Sequence, residues 1–560
     1  MNRSTRADSG QQPGVLPPPR FDKAAERGGF YRGNGLWTQE RLGWLLASNA
    51  QRWPDREFVQ IGDERLTYSE FSGWACALGA QLADRGVRRG DRVLIQMPNR
   101  IEALLAQVAA FRIGAVAAPI VPIYREHELR HIVSDCRPAA VITAARFRDR
   151  FPAREIDGQL TTTGLAVRCK IVVGGEEPGW EAFPDKTSRA DEQNLPSPLP
   201  ADQCALILYT SGTTSNPKGV MLSSRSFISN ARSLRLATQL SSETVFFACA
   251  PLSHLAGFNS GILWPASLGA RVVIMPEWNA EQAAALIERE RCTFTTGAAV
   301  FLHDLVSVYR TGRYSKHRLT VFMSGGAPTP PHLVREAEQL GVGAFRAYGM
   351  TETAGGVTYS SVSADLDRRS NFDAKVGFGS EMEAVGDDRK PLPPGVHGEL
   401  RIRSPQLLIG YTDPRATAAQ IDADGWFYTG DVGTVDEQGW LTISGRVKDI
   451  INRAGEKFSA RDIENAIASH PTVDQAAVVG LPDDRLGEIV GAFVTLREPR
   501  EWHGPHELVD HLNQLKFAKQ KIPVEWHVLD ALPQSVSGKL KKQELLLYRQ
   551  ARKTAEGAGN

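Results

Sequence analysis

Apolar residues in this chain switch repeatedly between two spacings. Phe71, Trp74, Ala75, Leu78 and Leu82 recur at helical spacing, and Val93, Leu94, Ile95 and Met97 follow as a short apolar run after Gly90. The pattern returns at Asn279, which reads as the cap of a helix through Ala283, Leu286 and Ile287, with Gln282 in the capping-box position and a strand over residues 293–296. Residues 319–323 read as another strand, whose exit Ser324-Gly325-Gly326-Ala327-Pro328 leads into a helix from about Pro331. Such alternation builds sheets with helices packed on both faces. Ligands in these folds sit beyond the strand ends, where the glycine-rich exits lie.

The pattern changes near Gly398. Residues 399–403 and 440–444 alternate like antiparallel strands, with Asp-Gly and Gln-Gly turn signals between them. After Arg446 a smaller unit follows: a helix over 460–469, strands near 476–479 and 489–494, a helix from about His506 and a strand near Val524. With 560 residues the chain has room for more than one domain, since roughly 100–200 residues each is usual. The divisions expected are a loose tail over 1–30, a large domain over 31–446 and a small one over 447–560. The tail is polar and basic, then proline-rich at residues 17–19, without an apolar signal core.

Composition excludes several classes. A net charge of +1 argues against a broad nucleic-acid-binding face, and 42% apolar with 23% charged residues is ordinary for a globular protein. Residues 103–124 are the most apolar region, but Arg112, Gly114, Pro119 and Pro122 interrupt them, so they read as helix, turn and strand rather than a membrane span. Six widely spaced cysteines without a CxxC pair suit buried free thiols in a reducing cytoplasm.

The chemistry gathers first at Tyr209 to Val220, YTSGTTSNPKGV, which follows the apolar run Leu206-Ile207-Leu208. Thr210, Ser211, Thr213 and Thr214 offer hydroxyl donors, Lys218 a charge, and Gly212 and Gly219 the turns that aim backbone N–H groups inward. Lys218 precedes Gly219 and valine follows, so this is not the GxxxxGK[ST] nucleotide loop. Four further stretches give the loop its context: Tyr348-Gly349-Met350-Thr351-Glu352, Tyr428-Thr429-Gly430-Asp431, Gly445-Arg446-Val447-Lys448-Asp449 and Ser537-Gly538-Lys539.

In this order and spacing the set resembles the adenylate-forming superfamily, in its acyl-CoA synthetase and aryl-acid–AMP ligase branch, over residues 37–544. The resemblance implies an α/β fold: a large N-terminal domain of packed βαβ-type sheets plus a distorted barrel, and a smaller mobile C-terminal α+β domain. It implies ATP, Mg²⁺ and coenzyme A, and a reaction in which a carboxylate is activated as acyl-AMP and then passed to a thiol. By that resemblance Thr210, Ser211, Gly212, Thr213, Thr214 and Lys218 cradle phosphates, Thr351 donates to the α-phosphate and Glu352 holds the metal. Gly325, Gly326 and Ala327 line the adenine slot with Tyr348 stacked on the base, Gly349 adjoins, Asp431 accepts the ribose hydroxyls and Arg446 contacts ribose or phosphate. Lys539 is the catalytic cation, Lys448 the hinge, and Gly455 lines the channel for the thiol.

The acid pocket implied by the resemblance draws on His254 as its gate, with Gly257, Phe258, Asn259, Met323 and Gly349. No Asp or Glu lies between Cys249 and Pro265, which argues against an amino-acid substrate, because an unpaired buried ammonium is costly. Leu255 stands where hydroxybenzoate enzymes carry asparagine, favouring an unhydroxylated cyclic, aromatic or short to medium aliphatic acid. Two departures stand out: Ser215 and Ala454 occupy positions where relatives usually have glycine. Coenzyme A is the expected acceptor, and a carrier-protein pantetheine and a homodimer stay open. A catalytically silent scaffold would have lost charges at Lys218, Glu352, Asp431, Arg446 or Lys539, and all five are present.

Overall fold

The computed structural model describes residues 24–210, 217–447, 450–453, 456–483, 485–497, 502, 504–534 and 540–557. Two large sheets form the body of the bigger lobe. One has seven strands in the order Gly343–Arg346, Val321–Ser324, Phe294–Gly297, Val245–Ala248, Arg271–Ile274, Glu57–Ile61 and Glu64–Thr67, parallel except for the last pair. The other has eight, with a parallel centre formed by Cys204–Thr210, Val116–Ile120, Arg92–Gln96, Ala140–Ala144, Cys169–Val173 and Glu181–Ala182. Its other edge turns antiparallel through Lys218–Ser223 and the two-residue strand Gly410–Tyr411.

Helices fill the space between the sheets. Ile101–Arg112 is buried along almost its whole length, packed between the eight-stranded sheet and the helices Leu42–Arg52 and Tyr68–Asp84. Tyr68–Asp84 beside it starts at a capping box, with the Thr67 hydroxyl accepting from Glu70 N–H and the Glu70 carboxylate accepting from Thr67 N–H. Val59 and Phe246 from one sheet, Val93 and Leu206 from the other, and Phe71, Leu104 and Phe227 from the helices share one core. The helix Ala280–Arg289 is capped as expected by the Asn279 carboxamide, which accepts from Gln282 N–H at 3.0 Å.

Two expectations need correction. The chain is already helical over Ala24–Gly33, so residues 24–30 are not loose. Tyr31 on this helix is buried and stacks edgewise on Trp37. The expected barrel is an open sheet of four antiparallel strands, Glu381–Val385, Gly398–Arg403, Phe427–Val435 and Leu441–Arg446. Five of the six cysteines are buried and Cys204 is partly so, all as free thiols. Among the described residues no helix is long and apolar enough to cross a membrane.

The smaller lobe has a five-stranded sheet in which Val473–Asp483 and Gly487–Leu496 form the long central hairpin. It meets the larger lobe through polar contacts. The Ser459 hydroxyl donates to Ser444 O, and His303 Nε2 lies 3.4 Å from Asp474. Asp304 and Asp474 together raise the His303 imidazole to about 9, outweighing its burial. Deepest is Asp373: Oδ1 accepts from Arg346 at 2.7 Å and lies 3.5 Å from Arg461 of the smaller lobe, and Oδ2 accepts from Ile443 N–H at 2.8 Å. Burial alone would raise this carboxyl, but the Arg461 and Arg346 charges and the Ile443 amide hold it below the usual range. Asp373→Ala would strand two buried guanidinium groups and is expected to cost about 3–5 kcal/mol in urea unfolding. Because the Asp373 pKa is depressed, this contribution is complete above the ordinary carboxylate range and fades as pH falls through the lowered value, so wild type and variant should converge in acid. Asp474→Asn should lower the His303 titration midpoint from about 9, read by NMR.

Candidate active site

Asp431 sits on the strand Phe427–Val435 directly opposite Arg446 in the antiparallel register. Its carboxylate is buried and both oxygens are engaged: Oδ1 accepts from Arg446 Nε at 2.8 Å, and Oδ2 from the Tyr348 hydroxyl at 2.6 Å. Burial, then the adjacent Asp431 charge, pushes the Tyr348 phenol well above its ordinary pKa, so it remains a donor. The Tyr348 ring rests on the core of the four-stranded sheet.

Tyr348 leads into a tight hairpin in which Gly349–Met350 pairs with Gly355–Gly356. The 3-10 turn Thr351–Thr353 caps it, and Ala354 takes a left-handed φ of 51°. A Cβ at Gly349 would lie 2.1 Å from the Gly355 carbonyl oxygen, so glycine is required by contact. Behind the hairpin, Asn259 donates to Ala354 O at 3.0 Å, Asn230 to Gly356 O at 3.0 Å, and Gln406 to Gly356 O as well. Trp264 in turn donates to Asn230 Oδ1 at 3.0 Å. The exits of two parallel strands arrive beside it: Ala347 N–H donates to Ser324 O at 2.8 Å, and Gly325 approaches the Ala347 carbonyl closely. Gly326 has a φ of 80°, which favours glycine, and Ala327 is partly exposed. Met323 is buried, and Thr351 lies buried at the head of the turn.

The expected pocket wall changes character. Phe258 has no exposed surface; it packs between Phe111 and Phe227 in the core, with ring centroids 6.0 and 4.7 Å away. A Cβ at Gly257 would meet the Pro251 carbonyl at 2.0 Å, so that glycine serves backbone packing and opens no space. Asn259 is buried and supports the hairpin. His254 caps the short helix Leu255–Phe258, its Nδ1 accepting from Ala256 N–H at 3.4 Å, and keeps part of its surface exposed.

Glu352 points the other way from Tyr348. Its Oε1 accepts from the Tyr411 hydroxyl at 2.9 Å, and the Lys218 ammonium lies 5.6 Å from the Tyr411 ring centre. Thr210 ends the strand paired with Lys218, and its hydroxyl reaches Lys218 O at 3.5 Å. No cluster of three or more His, Cys, Asp or Glu able to cage a metal exists among the described residues. One partly buried carboxylate beside a lysine fits a magnesium ion that takes its remaining ligands from phosphate and water.

A continuous path therefore runs Lys218, Tyr411, Glu352, the hairpin, Tyr348, Asp431, Arg446. Ser211, Gly212, Thr213, Thr214, Ser215, Lys448, Ala454, Gly455 and Lys539 lie outside the described residues. Sequence reasoning missed Tyr411, Asn230 and Gln406. The apolar run Leu407-Leu408-Ile409 before Gly410 marks a strand, but nothing in its spacing ties position 411 to 352 or 218.

Comparison with known proteins is consistent along the chain. Residues 46–412 match the family model described as AMP-binding enzyme, and residues 462–539 match the AMP-binding enzyme C-terminal domain. A medium-chain fatty-acid–CoA ligase from Escherichia coli (strain K12) is 33% identical over 525 residues, covering 92% of this chain and 92% of its own. An indoleacetate–CoA ligase from Aromatoleum aromaticum is 30% identical over 510 residues, covering 91% and 96%. Among solved structures, an o-succinylbenzoate CoA synthetase from Bacillus subtilis, in complex with its acyl-adenylate intermediate, superposes with a TM-score of 0.78 at 26% identity, covering 91% and 98%. Gly349→Ala should force the hairpin apart and destabilise the protein by about 1–3 kcal/mol, the usual range for overpacking, measured by urea unfolding.

Proposed function

The chain belongs to the AMP-binding enzyme family, and from that premise we propose that it is an ATP-dependent carboxylic acid–CoA ligase working through acyl-AMP. In the first step a carboxylate oxygen of the acid attacks the α-phosphorus of ATP, the bond to the bridging oxygen breaks and pyrophosphate leaves. In the second the sulfur of the CoA thiolate attacks the acyl carbon and AMP leaves. The observation that carries the reading is the continuous path from Lys218 to Arg446, with a cation at each end and two phenol-held carboxylates between.

In this reading Lys218, Thr210 and the loop residues Ser211, Gly212, Thr213 and Thr214 hold the β- and γ-phosphates, and Thr351 donates to the α-phosphate. Glu352 holds magnesium, which supplies positive charge to the phosphate oxygens when bound. The ribose hydroxyls displace the Tyr348 phenol from Asp431 and bond to its carboxylate, with Arg446 alongside. That exchange releases the Tyr348 ring for the base, next to Gly325, Gly326 and Ala327. Lys539 bridges the acid and the α-phosphate as a movable point charge. The pivot between domains 31–446 and 447–560 is Lys448, and Gly455 lines the thiol channel.

The acid is uncharged apart from its carboxylate. Residues 249–265 contain no Asp or Glu to hold a substrate ammonium. Medium-chain fatty acids and indoleacetate, acted on by the two relatives, both have apolar bodies. Gly257 and Phe258 are buried, whereas His254 and Gly349 keep exposed surface and would line the pocket with Met323 behind them.

Purified protein with ATP, magnesium and a panel of aliphatic, alicyclic and aromatic acids should release pyrophosphate and form thioester with CoA. Thioester with holo-carrier proteins alone would replace CoA as the acceptor, and release of neither product would overturn the reading. Lys539→Ala should lose acyl-AMP formation at least a hundredfold while keeping thioester formation from supplied acyl-AMP; equal loss of both steps removes Lys539 from its role.

A further inference from the structure

One short segment ties the two ends of the phosphate side together. Leu408 N–H donates to Glu352 O at 2.7 Å, Ile409 N–H to Met221 O at 2.9 Å, and Thr412 N–H to Gly219 O at 2.8 Å. Residues 408–412 are thereby bonded on one side to Glu352 itself and on the other to the strand that begins at Lys218. Tyr411 is the centre of this strap. It pairs opposite Val220, its N–H is held by the Thr417 hydroxyl at 2.8 Å, and its side chain is buried. The Asp413 carboxylate in turn caps the helix Pro414–Gln420 that carries Thr417. A ring so enclosed has one place to put its hydroxyl, and that place is Glu352 Oε1.

We propose that Tyr411 is a positioning residue for the nucleotide's metal and phosphates: its proton occupies Glu352 Oε1 and leaves Oε2 for a divalent cation, while its ring steadies the Lys218 ammonium. The inference rests on the reading of Glu352 as the cation ligand and Lys218 as a phosphate contact. Oε2 has no partner among the described residues, so one oxygen is committed and the other is available. Magnesium tolerates little departure from octahedral geometry, so a carboxylate free to rotate or to bind through both oxygens is a poor ligand for it. A hydrogen bond from outside the ligand set removes that freedom and is a general way of tuning a metal ligand. The ammonium over the ring face supplies a cation–π contact that needs no acid partner, so Lys218 keeps its charge available for an anion.

Calorimetric titration with MgATP, and with ATP in EDTA, separates positioning from packing. Tyr411→Phe keeps the ring and loses the proton: it should bind MgATP about tenfold more weakly and metal-free ATP within about twofold of wild type. Equal losses for both ligands, or wild-type affinity for MgATP, would overturn the proposal. Tyr411→Leu should also weaken metal-free ATP, and equal affinities of the Leu and Phe variants for it would remove the ring from the role. Glu352→Gln supplies the control for the underlying reading: it should abolish the preference for MgATP. If it retains that preference, Glu352 is not the cation ligand and both claims fall; if it loses the preference while Tyr411→Phe binds like wild type, only the Tyr411 claim falls.

Discussion

The close approach of Gly349 to Gly355 fixes the site's geometry on both sides at once. With no side chain between them, the backbones meet in a hairpin so tight that Tyr348 and Glu352, four residues apart, leave it in different directions. Each reaches a partner on a different sheet, Asp431 on the open four-stranded sheet and Tyr411 on the edge of the eight-stranded one. Asn230, Asn259 and Gln406 hold the hairpin by donating amide protons to its carbonyls. Among the described residues Asn259 Oδ1 and Gln406 Oε1 are buried and have no hydrogen-bond partner. An unmet buried acceptor costs about 1–3 kcal/mol.

The lobes are joined on different terms from those that hold each one together. Phe58, Leu104 and Trp264 belong to one continuous core of the larger lobe, whereas Ile463, Val478 and Leu508 form a separate core in the smaller. The contacts described between them are a buried Arg461–Asp373 pair, the His303–Asp474 pair and a Ser459 hydroxyl on a backbone carbonyl. Water can replace the exposed member of this set at small cost, because partly exposed ion pairs contribute about 0–1 kcal/mol. Asp373 would still keep Arg346 and the Ile443 amide if Arg461 withdrew. Separate apolar cores joined through polar contacts resist reorientation of the smaller lobe less than a merged apolar core would.

Much of the fold was legible because period and punctuation agreed. The helix around Phe71–Leu82, the strand after Gly90 and the cap at Asn279 fell where spacing put them, and so did the glycine-rich exit after residue 323. The misreadings share a cause. Gly257 and Phe258 were read as pocket residues by position in a motif, but their environment is set by Pro251, Phe111 and Phe227, which are distant or unrelated in pattern. Tyr411 was invisible for the converse reason: a two-residue edge strand has no periodicity, and its link to Glu352, 59 positions earlier, exists only once the chain between them has folded. Closure of a sheet into a barrel likewise depends on strand tilt and stagger, which alternation in residues 399–403 and 440–444 does not encode.

The two phenols explain something that the family pattern alone leaves as a coincidence. An aromatic face for a nucleotide base could be supplied by phenylalanine, yet both aromatic residues beside the buried carboxylates are tyrosines. Buried Asp431 has two oxygens to satisfy, and the guanidinium of the largely exposed Arg446 donates to Oδ1 at 2.8 Å. The Tyr348 hydroxyl fills Oδ2 at 2.6 Å, so the carboxylate is never left bare in a poorly solvated position. In the proposed reading a ribose hydroxyl would exchange one O–H donor for another there, so the carboxylate's hydrogen-bond count would be preserved. At Glu352 the Tyr411 hydroxyl takes Oε1, and Oε2 has no hydrogen-bond partner among the described residues; under the proposed reading a cation would take Oε2 and leave the Tyr411 bond in place. Under the proposed nucleotide-binding reading, one phenol is the one to be displaced and the other the one to stay, an asymmetry that would distinguish the sugar end of the site from its phosphate end.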